Sequence, residues 1–232
     1  VFSFFLHSAQ CARFQGLDGR RRDLSKAWTG DRGVDEDRRE GTELDDAAVL
    51  EIFRTTGALL SGHFELRSGL HSDQYFQCAL VLQWPRQTAR LCGELARRVR
   101  AAGWQAETVI APAMGGLFVG HELARALGVR SIFAEKQDGR LVMRRGFTIR
   151  AGERFIIAED VVTRGGRVQE TLEIVRAAGG VPVGIAVLVD RSGGAAQFDV
   201  PMIALLRMTP AVWPPQECPL CAGGSRPEHP GS

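Results

Sequence analysis

An α/β fold built on a central, mainly parallel sheet flanked by helices is predicted by three observations. Phe155 to Ala158 is a continuous apolar run, as a strand buried on both faces requires. A Gly-bearing turn, Thr163 to Arg167, follows, and Val168, Leu172 and Val175 then fall at helical spacing. The same order occurs upstream: a strand over Thr108 to Ala111, the turn Pro112-Ala-Met-Gly-Gly116, and a helix through Leu123 to Leu127. Strand-turn-helix units repeated along a chain imply parallel strands with crossover helices.

The totals narrow the function classes. The chain has 232 residues and a formal net charge of +2, room for one domain with tails. Basic residues are spread rather than striped, which argues against a nucleic-acid binder. No apolar run approaches the roughly 20 residues of a membrane helix. Five cysteines without a secretory signal suggest a reducing compartment, and the cytoplasm is the expected location. Of 29 basic side chains only Lys26 and Lys136 are lysines.

Residues 1–43 differ from the rest. They are rich in Arg, Asp and Glu with little periodicity, and their charges balance. They read as a disordered extension or as translated sequence upstream of the true start. The domain is expected over 44–209, with a tail over 210–232. Asp45 or Asp46 can cap a helix whose apolar face holds Val49, Leu50, Ile52 and Phe53, closed by Gly57. Gly62-His-Phe-Glu-Leu-Arg-Ser-Gly69 and Tyr75-Phe76-Gln77 read as two short strands around a turn. Pro85 opens a helix with the stripe Leu91, Leu95 and Val99. Ser131 to Glu135 is a strand. Lys136 to Arg140 interrupts the pattern before a hairpin with Leu141, Met143 and Phe147. Val183 to Val189 and Met202 to Met208 are the last strands. In the tail, Cys218-Pro-Leu-Cys221 is half of a zinc site, with His229 the nearest spare ligand; zinc is a minority reading.

Chemistry gathers at Phe155 to Arg167. Glu159 and Asp160 follow the apolar run where the strand should emerge into solvent. The turn amides and the positive end of the next helix suit a phosphate, and the carboxylates suit sugar hydroxyls or a developing positive charge. A ligand with a phosphate beside a ribose satisfies both halves. Neither a Walker loop nor the Gly-x-Gly-x-x-Gly fingerprint is present. An ordinary strand-turn-helix with a solvated acidic pair is the plain alternative.

This stretch resembles the 13-residue signature of the type I phosphoribosyltransferases, which bind 5-phosphoribosyl 1-diphosphate. Other segments are similar to the orotate-specific branch of that family. Phe64-Glu-Leu-Arg-Ser-Gly69 resembles its N-terminal hood, where a basic residue, here Arg67, lies over the base; a surface hairpin cation is the equal alternative. Pro112 to Gly116 resembles its diphosphate loop, with Gly115 where relatives often carry Lys. Lys136 matches the start of a mobile loop whose Lys reaches the neighbouring subunit. That loop is shorter here, and Arg140, Arg144 and Arg145 are candidate substitutes. Val189-Asp-Arg-Ser-Gly-Gly194 resembles its orotate-binding segment, and a bidentate Arg191 suits the carboxylate of orotate. The Cys-Pro-Leu-Cys tail also occurs in a bacterial branch.

The resemblance implies transfer of a phosphoribosyl group to orotate, giving orotidine 5′-monophosphate and diphosphate in pyrimidine (UMP) synthesis. It implies a small hood, a mobile hairpin loop, a homodimer, and Mg²⁺ held mainly by substrate oxygens, with no protein metal ligand. Implied catalytic residues are Lys136, Glu159 and Asp160. Implied phosphoribosyl-diphosphate contacts are these three, Val161, Val162, Thr163, Arg164, Gly165, Gly166, Arg167 and Arg140. Thr163, Arg191 and Arg67 are the implied orotate contacts. Position 167 departs from the family's Ser or Thr. Rival readings are a phosphoribosyltransferase for a purine base and a non-catalytic regulator binding the same ligand. No nucleic acid or membrane partner is expected.

Overall fold

The structure, a computed structural model, describes residues 43–66 and 68–230. The readings of residues 1–42 and of Arg67 lie outside the described residues.

The chain opens with α1 (Asp46–Thr55), capped by Asp45, whose carboxylate accepts from the Ala48 amide at 2.7 Å. Two antiparallel strands follow, β1 (Leu59–Glu65) and β2 (His71–Phe76). After a single turn, α2 (Ala79–Leu82), comes α3 (Pro85–Ala101), with Pro85 in its first turn and Leu91, Leu95 and Val99 fully buried. The parallel core then builds up as β3 (Thr108–Pro112), α4 (Gly115–Leu127), β4 (Arg130–Gln137), β5 (Arg140–Met143), β6 (Arg154–Val162), α5 (Gly166–Ala177), β7 (Val181–Asp190) and β8 (Met202–Arg207). The tail adds β9 (Val212–Trp213), a 3₁₀ turn over Pro215–Glu217 and α6 (Pro219–Ala222).

The main sheet has the order β5-β4-β3-β6-β7-β8, parallel except for β5. Alternation along β6 divides its core. Ile156 and Ala158 face the layer that holds α1, α3 and α4. Phe155 and Ile157 face α5. Burial on both faces explains why these strands read as unbroken apolar runs rather than alternating ones.

Strand order also fixes where a ligand can sit. From β3 the chain crosses to β4 on one side, and β6 then returns to the other side of β3. The loops after β3 and β6 therefore diverge, leaving a crevice beyond the carboxyl ends of the strands.

A second sheet, β1-β2-β9, forms the hood. The end of the chain is woven into it. His71 and Ser72 pair with Trp213 and Val212, and Phe64 bridges to Glu228.

Candidate active site

β6 is longer than the apolar run predicts. Val161 and Val162 stay in the strand, paired with Val189 and Asp190 of β7. β-branched residues suit that position. Glu159 is consequently buried at 6% exposure, and Asp160 is half-buried. The sequence expects the acidic pair to emerge into solvent, but it lies inside the mouth of the crevice.

The crevice is a cleft of about 640 Å³. Its walls are Pro112 to Gly115, Glu159 to Val168, Gly139 and Glu170. It thus brings together the acidic pair and both Gly-bearing turns. Gly115 and Gly116 are required by close approach. A Cβ on Gly115 would stand 2.8 Å from an Asp160 carboxylate oxygen. One on Gly116 would stand 2.9 Å from both the Ala158 carbonyl and Glu159 Oε1. The first turn of α4 is pressed against the acids because nothing projects there. On the other wall Gly165 takes φ +76° just before α5, which turns the chain back over the strand end. Thr163, Arg164, Gly166 and Arg167 are exposed, so their amides and side chains are open to a ligand.

Crowding two carboxyls here changes their acidity. Burial, then the Asp160 charge beside it, pushes the Glu159 carboxyl up to about 9. Burial raises Asp160 as well. Like charges this close do not both ionise readily, so the pair in the free protein holds a proton more tightly than isolated carboxyls do. The Val161 amide donates to Asp160 Oδ1 at 2.8 Å, and the Asp160 amide to Glu159 Oε1 at 3.1 Å.

Arg191 follows β7 and is half-buried. Its guanidinium carbon lies 5.4 Å from the centre of the Phe76 ring. Its Nε is buried and has no hydrogen-bond partner among the described residues. Burial lowers its pKa, though an Arg remains charged. A half-buried cation with an unused donor suits an anion.

The expected mobile loop is a tight hairpin. Lys136 pairs with Leu141 across β4 and β5, and the turn is Asp138-Gly139 with φ of 49° and 87°. Positive φ at both turn residues is the geometry that Asp-Gly favours. Lys136 and Arg140 are exposed and do not line the cleft of their own chain, although Gly139 between them does. Arg145 is held by Glu135 at 2.5 Å, an ion pair that lowers the Glu135 pKa.

Two contributors were not legible from the motifs. Glu170 accepts from the Leu141 amide at 2.7 Å and pairs with Arg167 at 3.2 Å, so it ties the hairpin to the phosphate turn. Its place one turn after Arg167 was the available signal. Phe76 supplies the ring under Arg191. His229, the expected spare ligand for the cysteines, instead faces Glu65 at 3.0 Å. The side chains that do meet Cys218 and Cys221 are His63 and His71.

Known proteins share both sequence and fold with this chain. A family model described as "Phosphoribosyl transferase domain" matches residues 81–203. An orotate phosphoribosyltransferase of Pelotomaculum thermopropionicum is 52% identical over 184 residues, 79% of this chain and 96% of that protein. One from Desulforamulus reducens is 50% identical over 184 residues, 79% of this chain and 95% of that protein. Among solved structures, the orotate phosphoribosyltransferase of Mycobacterium tuberculosis in complex with Fe(III) dicitrate superposes with a TM-score of 0.59. It is 24% identical and covers 71% of this chain and 97% of that one. At that identity the superposition speaks for the fold.

Proposed function

Since the chain belongs to the orotate phosphoribosyltransferase family, we propose a division of labour in the cleft for that family's reaction. The chain transfers the phosphoribosyl group of 5-phosphoribosyl 1-diphosphate to orotate, giving orotidine 5′-monophosphate and diphosphate in pyrimidine synthesis. The observation that carries the division of labour is the acidic pair at the switch point, between two Gly turns. Arg191, whose Nε has no partner among the described residues, is joined to the end of β6 by its amide, 2.8 Å from the Val162 carbonyl.

The turn Thr163 to Arg167 and the start of α5 receive the 5′-phosphate through backbone amides. The exposed Thr163 hydroxyl and the Arg164 side chain add polar contacts. Glu159 and Asp160 accept from the ribose hydroxyls. Their negative charge faces the positive charge that grows on the ring as diphosphate departs. Backbone at Ala113 to Gly116 receives diphosphate without a side-chain cation. Arg191 takes the orotate carboxylate, and Thr163 and Arg67 are the other residues assigned to orotate.

A cation must still close over the leaving group. We assign it to Lys136 of a neighbouring subunit in a homodimer, with Arg140 beside it. Support comes from their exposure, their lack of a side-chain partner among the described residues, and their place outside their own chain's cleft.

Mg²⁺ is the expected cofactor. The cleft offers the adjacent carboxyls of Glu159 and Asp160, with Glu170 a third carboxylate on its wall that is tied to Arg167. That fits an ion that keeps waters and substrate oxygens. Diphosphate and ribose oxygens would be its main ligands, with Glu159 and Asp160 beside them, and when bound it would supply positive charge to the diphosphate. No helix among the described residues is long and apolar enough to cross a membrane. We place the protein in the cytoplasm, in keeping with four free cysteines among the described residues.

The test is a base panel: orotate, uracil, adenine, guanine, hypoxanthine and xanthine with phosphoribosyl diphosphate and Mg²⁺. Turnover of orotate alone is expected. Turnover of a purine would remove Arg191 from its role. Tight ligand binding without turnover would favour a regulator.

A further inference from the structure

Away from the cleft, four side chains with no part in the reaction converge beneath the hood. His63 is on β1, His71 opens β2, Cys218 caps α6 and Cys221 lies in it. Their nearest nitrogen and sulfur atoms all lie within 4.8 Å of one another. His63 Nε2 is 2.9 Å from His71 Nδ1 and 3.4 Å from Cys218 Sγ. Cys221 Sγ is 3.4 Å from His71 Nδ1 and 3.8 Å from His63 Nε2. His63 and His71 are buried at 6% and 5% exposure, and Cys218 at 2%.

Buried polar atoms need partners. Four soft or borderline donors aimed at one point have few ways to satisfy one another. A tetrahedral ion with bonds of about 2.0 Å to nitrogen and 2.3 Å to sulfur sets ligands about 3.3 Å apart for N···N, about 3.5 Å for N···S and about 3.8 Å for S···S. The one N···N and three N···S separations given above lie near these values. Two thiolates neutralise a divalent charge, so the filled site buries no net charge. Two histidines and two cysteines, with no carboxylate among them, select Zn²⁺ over Mg²⁺ or Ca²⁺. His63 Nδ1 lies 3.2 Å from Ser225 Oγ. That contact lets Nδ1 donate and leaves Nε2 bare toward the cluster, the outer contact that metal-bound histidines need.

We propose that His63, His71, Cys218 and Cys221 bind one structural Zn²⁺ that staples the chain's tail to the hood. All four positions of the ion are taken by protein, so the site is closed and has no catalytic vacancy. None of the four residues lines the cleft, which separates this ion from any Mg²⁺ of the reaction. The hood has need of a staple. It is three strands, one of only two residues, and sheets this small do not stand alone. The ion joins β1, β2 and the segment after β9, where backbone bonds from Glu65 to Glu228 (2.9 Å) and from Glu228 to His63 (2.7 Å) already run.

The deciding measurement is metal content of the untagged full-length protein by mass spectrometry, with Co²⁺ exchanged in as a spectroscopic probe. About one zinc per chain is expected, and Co²⁺ should give tetrahedral ligand-field bands with thiolate charge transfer. Cys221→Ser, the half-buried ligand, should lose the metal and the charge-transfer band and unfold several degrees earlier. His229→Ala should keep all three. Metal-free protein with no Co²⁺ spectrum, a Cys218–Cys221 disulfide by thiol counting, or full zinc retained in both Cys221→Ser and His63→Gln would each overturn the proposal. These readouts do not depend on orotate turnover, so failure of the site and failure of the enzymatic reading remain distinguishable.

Discussion

The cleft and the cluster beneath the hood gather polar chemistry in opposite ways. In the cleft, Glu159 and Asp160 are chain neighbours at the end of one strand, and the phosphate turn follows directly. Under the hood, Cys218 stands 155 residues from the His63 it meets. The cleft is also the costlier site for the free protein, since it forces two carboxyls together. The cluster brings together groups that a single ion can satisfy. The difference separates a site held under tension for chemistry from one that holds the chain.

Variants can break or sharpen that separation. The largest effect is expected from Lys136→Ala, a fall in kcat of about 1000-fold, in line with loss of a charge that acts on the leaving group. Lys136→Arg should recover only part of it, because a planar fork replaces a compact charge. Full turnover in Lys136→Arg would show that any cation serves. Asp160→Asn should lower kcat by about 100-fold with the melting temperature preserved or raised. A large loss of stability would mean that the pair holds the fold, and the comparison would fail.

Arg191→Ala should raise the KM for orotate by about 10- to 100-fold, the worth of a charge-assisted hydrogen bond, and leave the KM for phosphoribosyl diphosphate near its starting value. Equal changes in both would place Arg191 elsewhere. Gly116→Ala should cost about 1–3 kcal/mol in urea unfolding, since the new methyl meets a backbone carbonyl and Glu159.

The smallest effect concerns pH. The Glu159 carboxyl is raised in the folded chain to about 9, so its contribution to stability is full below its unfolded value and is lost as pH rises toward 9. Glu159→Gln removes that loss. Its melting temperature should match the parent at low pH and exceed it at pH 9, by about 2 kcal/mol or roughly 4–8 °C, while turnover falls. The gain is set below the full shift because Asp160 shares the cost. A constant difference across pH would place the strain elsewhere.

The same contrast governs what could be read from the residues alone. The two strand-turn-helix units, the capped first helix and the acidic signature were legible because each is local: periodicity, a turn and a pair of neighbours. The burial of Glu159 was not legible, because it depends on β6 continuing through Val161 and Val162 beside β7. Glu170 acts through a hairpin that lies elsewhere in the sequence. The cysteine pair was visible, but its partners were not. His63 and His71 approach through the antiparallel pairing of β1 and β2, and the tail reaches them only after the whole main sheet has been laid down. Proximity in sequence favoured His229, which the fold turns toward Glu65.

The hairpin has a practical corollary. Beyond Lys26 the chain carries a single lysine, Lys136, and it is exposed on β4 beside the Asp138-Gly139 turn. An amine-reactive fluorophore would therefore find Lys26 as one site outside 44–209 and a single lysine within that range. A substrate that shields that amine would slow the labelling, and the dye's anisotropy would follow the hairpin in real time without any engineered cysteine.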